Sequence, residues 1–134
     1  MDNNSTRTES DSFGPIEVPV HALWGAQTAR SLRFFAIGAQ TMPIPVIRAL
    51  AWIKWAAAIV NGELSLLERT RARAIAEAAH AVTSGIHDRE FPLSVWQTGS
   101  GTQSNMNVNE VVARLATLGL QAQDRNIARI HPND

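Results

Sequence analysis

Two prolines and a glycine do most to limit what this chain can become. Pro43 and Pro45 stand at the head of a run in which Ile44, Ile47, Leu50, Ala51, Lys54 and Ala58 recur at spacings of three and four, and Asn61-Gly62 closes it. That recurrence is the period of a helix with one apolar face, and proline at the start with glycine at the end is the asymmetry such a helix prefers. A second helix is expected from Ser65-Leu66-Leu67-Glu68, a capping-box pattern in which the serine oxygen and the glutamate each satisfy a free backbone donor. Its alanine-rich body reaches Ser84, ahead of Gly85. A third helix carries Val108, Val111, Val112, Leu115 and Leu118 on its apolar face, with Gly119 as its stop. The expected fold class is mainly α.

Upstream, "FGPIEVPVHALWGAQT" is punctuated by Gly14, Pro15, Pro19 and Gly25 and can hold at most a small hairpin. Residues 1–12 are expected to form a solvated polar tail, because they carry Asp2, Glu9 and Asp11 and lack the basic and apolar segments of a secretory signal. A chain of 134 residues with 45% hydrophobic content suits one small domain, here residues 13–134.

Charge and composition exclude several function classes. The net charge is zero and no Lys/Arg cluster breaks the balance, so neither nucleic acid nor an anionic membrane surface is an expected partner. There is no cysteine, and His21, His80, His87 and His131 show no metal-ligand spacing; no metal is expected. The longest apolar segment, "ALAWIKWAAAIV", is short and is broken by Lys54, against the roughly 20 apolar residues that a bilayer crossing needs. The expected location is cytoplasmic. His80 reads as a helix-surface residue, His87 as a loop residue, and Trp52, Trp55 and Trp96 as core or interface anchors.

Residues 96–110, "WQTGSGTQSNMNVNE", are compositionally unlike the rest, with small, hydroxyl and amide side chains and no charge until Glu110. Gly99 and Gly101 free the backbone for a tight turn, while Thr98, Ser100, Thr102 and Gln103 bring hydroxyls and an amide. A helix starting there, with Thr102 or Ser104 as its cap, would aim unpaired N–H groups and its positive end back at the loop. Such a loop can hold an anion without a cation. Carboxylate fits better than phosphate, since "GSGTQ" has neither a P-loop lysine nor dinucleotide-binding glycine spacing. Asn105, Asn107 and Asn109 disfavour a helix interior unless their amides are used. A purely structural turn before a helix is the competing reading. At the end of the chain, "HPND" by itself describes an ordinary turn.

Three blocks in order, "FGPIEVPVHALWGAQTARSLRFFAIG", "FPLSVWQTGSGTQSNMNVNEVVARLA" and "HPND", closely resemble the amino-terminal domain of class II fumarate hydratase, in the fumarase/aspartase superfamily. Ser100 and the Gln103-Ser104 pair are similar to fumarase, where aspartate ammonia-lyases carry Gly-Ala-Gly-Thr. The resemblance implies a mainly helical enzyme of the tricarboxylic acid cycle that interconverts fumarate and L-malate by reversible addition of water. It implies no metal and no organic cofactor, and a homotetramer whose central helix bundle is pooled from four subunits. Carried over by position, Ser100, Gly101 and Thr102 fall on the substrate-contacting loop, and His131, Pro132, Asn133 and Asp134 on a second anion-binding segment, the B site. This sequence departs from the family pattern at Arg114, which stands where relatives have asparagine, at residues 33–35 ("RFF"), and at Ala128, where some relatives have a basic residue.

The histidine and serine that the resemblance assigns to proton transfer would lie after Asp134, so no catalytic residue is expected within these 134. The corresponding expectation is a chain truncated at its C-terminal end that binds substrate and has no hydratase activity alone. An ammonia-lyase of the same superfamily and a non-catalytic helical interaction module are the alternatives.

Overall fold

The computed structural model describes residues 5–134. Its elements in chain order are strands β1 (Thr6–Asp11) and β2 (Gly14–Pro19), helices α1 (Ala26–Phe34), α2 (Ile44–Glu63) and α3 (Arg69–Thr83), a single 3-10 turn at Asp88–Glu90, and helix α4 (Thr102–Gln123). The mainly α expectation holds, with one small two-stranded sheet beside the helices.

The hairpin corrects the reading of residues 1–12 as a tail. From Thr6 onward that segment is β1, antiparallel to β2 with Thr6 opposite Pro19 and Asp11 opposite Gly14; the part of the expectation on residues 1–4 lies outside the described residues. The strand alternates without any apolar residue. Thr6, Thr8 and Ser10 face solvent, while Arg7, Glu9 and Asp11 are half-buried. Arg7 explains how a charged face can point inward: it donates to the carbonyls of Pro19 (2.8 Å), Val20 (3.1 Å), Ala22 (2.7 Å) and Trp24 (2.9 Å), and to Glu9 at 2.7 Å. A guanidinium with its donors used in this way tolerates partial burial.

Helix α1 carries no apolar period, and its buried positions are the small or polar Ala26, Thr28 and Ser31. Helix α2 runs the full length between its prolines and Gly62. A Cβ at Gly62 would come within 2.9 Å of the Ala72 methyl, so glycine is what lets α2 and α3 approach. Helix α2 also extends beyond the apolar segment singled out in the sequence. The helix is 20 residues long, its most apolar window has mean hydropathy 1.3 with only 17% buried, and it is long and apolar enough to cross a bilayer by length and composition.

Helix α3 starts later than its capping-box pattern suggests. Ser65 adopts a left-handed φ of 57°, and Glu68 caps the helix, its carboxylate accepting from Thr70 N (2.8 Å) and Arg71 N (3.0 Å). Helix α4 passes through Gly119 and ends at Gln123.

The core lies where α2, α3 and α4 meet. Ile47, Ala51, Ala79, Val82, Val108 and Val111 are buried there, and Phe91 and Ile130 join from the connecting segments. So many alanines bring helix backbones close without a large side-chain volume. Trp55 packs on this core and meets Trp52 edge-on with ring centroids 5.5 Å apart. Trp96 is 58% exposed and is not a core residue.

Candidate functional site

Helix α4 begins at the odd stretch, and its cap is neither Thr102 nor Ser104. Gly101 occupies the capping position with φ 73°, a left-handed conformation that glycine adopts without strain, and it offers no side chain to the helix. The N–H groups of the first turn are therefore bound by other means. Ser104 N donates to Gln97 Oε1 (3.0 Å) and Asn105 N to the Gly101 carbonyl (3.0 Å), while Thr102 N reaches Ser100 Oγ only at 3.4 Å.

The hydroxyls of this loop bind one another. Ser100 Oγ donates to Thr102 Oγ1 at 3.1 Å and lies 3.3 Å from Thr98 Oγ1, and Thr98 N donates to Gln103 Oε1 at 2.9 Å. Ser100 and Thr102 are exposed. Rotatable hydroxyls gathered at the positive end of a 22-residue helix form a neutral, solvent-facing cradle that favours a carboxylate. Gln103 anchors the cradle to the fold by donating from Nε2 to Ser31 Oγ on α1 (3.1 Å).

The asparagines behave unequally. Asn107 is buried, donates through Nδ2 to the Glu90 carbonyl at 3.0 Å, and leaves its buried Oδ1 without a partner. Asn109 donates only to Met106 Sδ, at 3.6 Å. Polar packing thus accounts for half of what Asn107 can do.

Residues 131–134 close on themselves. Asp134 Oδ2 accepts from His131 N (2.9 Å) and from Arg71 Nη1 (3.3 Å), Asn133 N donates to His131 Nδ1 (3.1 Å), and Asp134 N donates to the His131 carbonyl (2.9 Å). Just upstream, Ile130 N donates to the buried Thr117 Oγ1 at 3.0 Å, tying the segment to α4. One small cavity beside it, about 60 Å³, is lined by His131, Pro132, Asp134, Asn109 and Lys54. Burial lowers the Lys54 pKa.

The two expected binding segments are not brought together within this chain. Residues 131–134 lie alongside Asn109, Val112 and Ala113, two to three helical turns from Thr102 and so roughly 10–17 Å along α4. Within this chain the two segments stand apart.

Reasoning from sequence named Gln103 as an amide of the loop but missed the roles of Gln97 and Glu110. Gln97 and Gln103 hold the ends of the loop, and Glu110 performs a task that its position hinted at, as the first charge after a neutral run. Its carboxylate is buried and accepts from Gly25 N (2.9 Å), Gln27 N (2.7 Å), Thr28 N (3.1 Å) and Thr28 Oγ1 (2.6 Å), capping α1 from another helix. Among the described residues no group of three or more His, Asp or Glu side chains could hold a metal ion.

Comparison with known proteins identifies the family. The lyase family profile matches residues 14–134. The class II fumarate hydratase of Methylorubrum extorquens is 57% identical over 129 residues, covering 96% of this chain and 27% of its own length. That of Myxococcus xanthus is 54% identical over 134 residues, covering 100% of this chain and 29% of its own length. Among solved structures, the class II fumarase of Schistosoma mansoni superposes with a TM-score of 0.90 at 43% identity, over 96% of this chain and 27% of that one. The chain thus spans less than a third of the length of the relatives it matches. By sequence and by helix arrangement alike, the chain belongs to the lyase family and carries the amino-terminal helical domain of the fumarase/aspartase fold.

Proposed function

We propose that this chain supplies one wall of a fumarate hydratase active site, with Ser100, Gly101 and Thr102 holding a carboxylate of fumarate or L-malate. The observation that carries the reading is the start of α4, which no acid caps. Gly101 offers it no side chain, Gln97 Oε1 accepts from Ser104 N, and the exposed hydroxyls of Thr98, Ser100 and Thr102, bonded to one another, lie beside it. Adding water to fumarate builds negative charge on one carboxylate as an aci-carboxylate forms. Donors aimed at that carboxylate bind the transition state more strongly than the substrate.

The groups that move protons belong to no residue of these 134 on this reading, and the isolated chain has no hydratase activity. Residues 131–134 serve as a second anion site, the active assembly is a homotetramer without metal or cofactor, and the location is cytoplasmic. The identities of 54% to 57% with proteins named class II fumarate hydratases support the choice of reaction.

The test is a chimaera in which residues 13–134 replace the matching segment of a class II fumarate hydratase. A charge-assisted hydrogen bond is worth about 1.5–3 kcal/mol, so Thr102→Ala in that chimaera should lower kcat/KM roughly ten- to a hundredfold. A value within twofold of the parent chimaera removes Thr102 from the site.

A further inference from the structure

Two half-buried glutamines tie the loop of residues 98–103 from both ends. Gln97, just before it, accepts at Oε1 from Ser104 N (3.0 Å) and Ser104 Oγ (3.1 Å), while its Nε2 donates to the Ser94 carbonyl at 2.8 Å. Gln103, at the far end, accepts at Oε1 from Thr98 N (2.9 Å) and Thr98 Oγ1 (3.2 Å), while its Nε2 donates to Ser31 Oγ at 3.1 Å. The ties are nested, 97 to 104 outside and 98 to 103 inside, and Ser100, Gly101 and Thr102 lie within both. Each amide spends its oxygen on the loop and its nitrogen on the fold around it, a division that one neutral planar group can make.

At other helix starts of this chain the acceptor is an acid. The first-turn N–H groups of α1 are taken by the Glu110 carboxylate and those of α3 by Glu68. A carboxylate is the stronger acceptor and the better match to the positive end of a helix, so amides at α4 hold the helix start less tightly than acids would. What they avoid is charge. Gln103 Oε1 is 3.2 Å from Thr98 Oγ1, which is 3.3 Å from Ser100 Oγ. A carboxylate at 103 would therefore stand one hydroxyl away from the cradle. At an effective dielectric constant of about 20, two like charges about 7 Å apart repel enough to change a binding constant more than tenfold.

We propose that Gln97 and Gln103 are positioning residues of the carboxylate cradle, fixing the loop without charge so that the positive end of α4 is left for a dicarboxylate substrate. Their role rests on the reading of Ser100, Gly101 and Thr102 as the loop that holds a carboxylate of fumarate or L-malate.

The test uses the chimaera that carries residues 13–134 in a class II fumarate hydratase, with KM and kcat for fumarate measured from low to high KCl. Gln103→Glu keeps the size and the acceptor oxygen, adds a charge and loses the bond to Ser31. It should raise KM about tenfold or more at low salt and change kcat less, and the ratio of its KM to that of the parent should fall as KCl screens the added charge. Gln97→Glu should change KM in the same direction with the same response to salt. Gln103→Met, neutral and of similar length, loses both ties and should lower kcat/KM severalfold by a factor that salt does not alter. Thr102→Ala in the same chimaera reports on the fumarate reading by itself. If Thr102→Ala loses activity while both glutamate variants keep KM within twofold of the parent, or raise it by a factor that salt does not reduce, or if neither folds, the proposal is overturned and the fumarate reading stands. If Thr102→Ala is within twofold of the parent, the fumarate reading falls and the proposal falls with it.

Discussion

Helices α1 and α4 both start on a glycine that offers no side-chain cap, and they solve that problem in opposite ways. At α1 the free N–H groups of Gly25, Gln27 and Thr28 converge on the Glu110 carboxylate, which is 6% exposed. At α4 the corresponding end meets exposed hydroxyls and no acid. The first helix start is filled by a carboxylate from within the fold, and the second is open to one from outside. Glu110 therefore shows, inside the same molecule, the geometry that a bound carboxylate can adopt at a helix start.

Removing the internal carboxylate is the harshest way to break this comparison. Glu110→Gln keeps the shape and replaces one acceptor with a donor, so buried N–H groups at α1 lose their partner. The expected loss is about 3 kcal/mol of stability, read as a lower midpoint in urea. A loss below about 0.5 kcal/mol would mean that α1 does not depend on the cap.

The two capping glycines should respond unequally to alanine. A Cβ at Gly25 would sit 3.2 Å from the Glu110 carboxyl carbon and oxygen, which four hydrogen bonds hold in place. Gly25→Ala should cost about 1–3 kcal/mol through crowding. At Gly101 nothing lies within 4 Å of an added Cβ, and only the left-handed φ of 73° resists it. Gly101→Ala should cost roughly 1 kcal/mol. Equal losses in thermal unfolding would show that the two helix starts are not packed differently.

The smallest expected effect is on pH. The Arg30 guanidinium beside Asp11 holds its carboxyl below the usual range. Burial works against ionisation of Glu9, but its bonds from Arg7 and Arg129 outweigh this and its pKa is lowered too. A carboxylate with a depressed folded pKa binds fewer protons folded than unfolded. Its contribution is complete above the ordinary carboxylate range and is lost as pH falls through the folded value. Amide exchange in β1 should therefore accelerate below about pH 4 before exchange in α4 does. Simultaneous loss of protection would mean that these ion pairs do not hold the hairpin.

Much of the helical part was legible in sequence because its signals are local. Period and proline placement fixed α2, and the valines of α4 marked its buried face. The hairpin was half-legible: β2 lay where extended pieces were expected, but β1 has no apolar residue to announce it. Helix α1 gave no apolar period at all, since it buries Ala26, Thr28 and Ser31. At the candidate site, the neutrality of the loop was visible. Which residue caps α4 was not visible, because Gly101 and two serine or threonine neighbours compete for that place.

By itself the sequence determined where helices can run and that the start of α4 would be uncharged, since both follow from residues within a turn or two of each other. Tertiary structure alone decided that Glu110 reaches 82 to 85 residues back to cap α1 and that Arg7 makes a polar segment into a strand. The physical reason is common to both. A charged side chain is half-buried or buried only where a distant segment answers it, and which segment arrives is settled by how the helices pack.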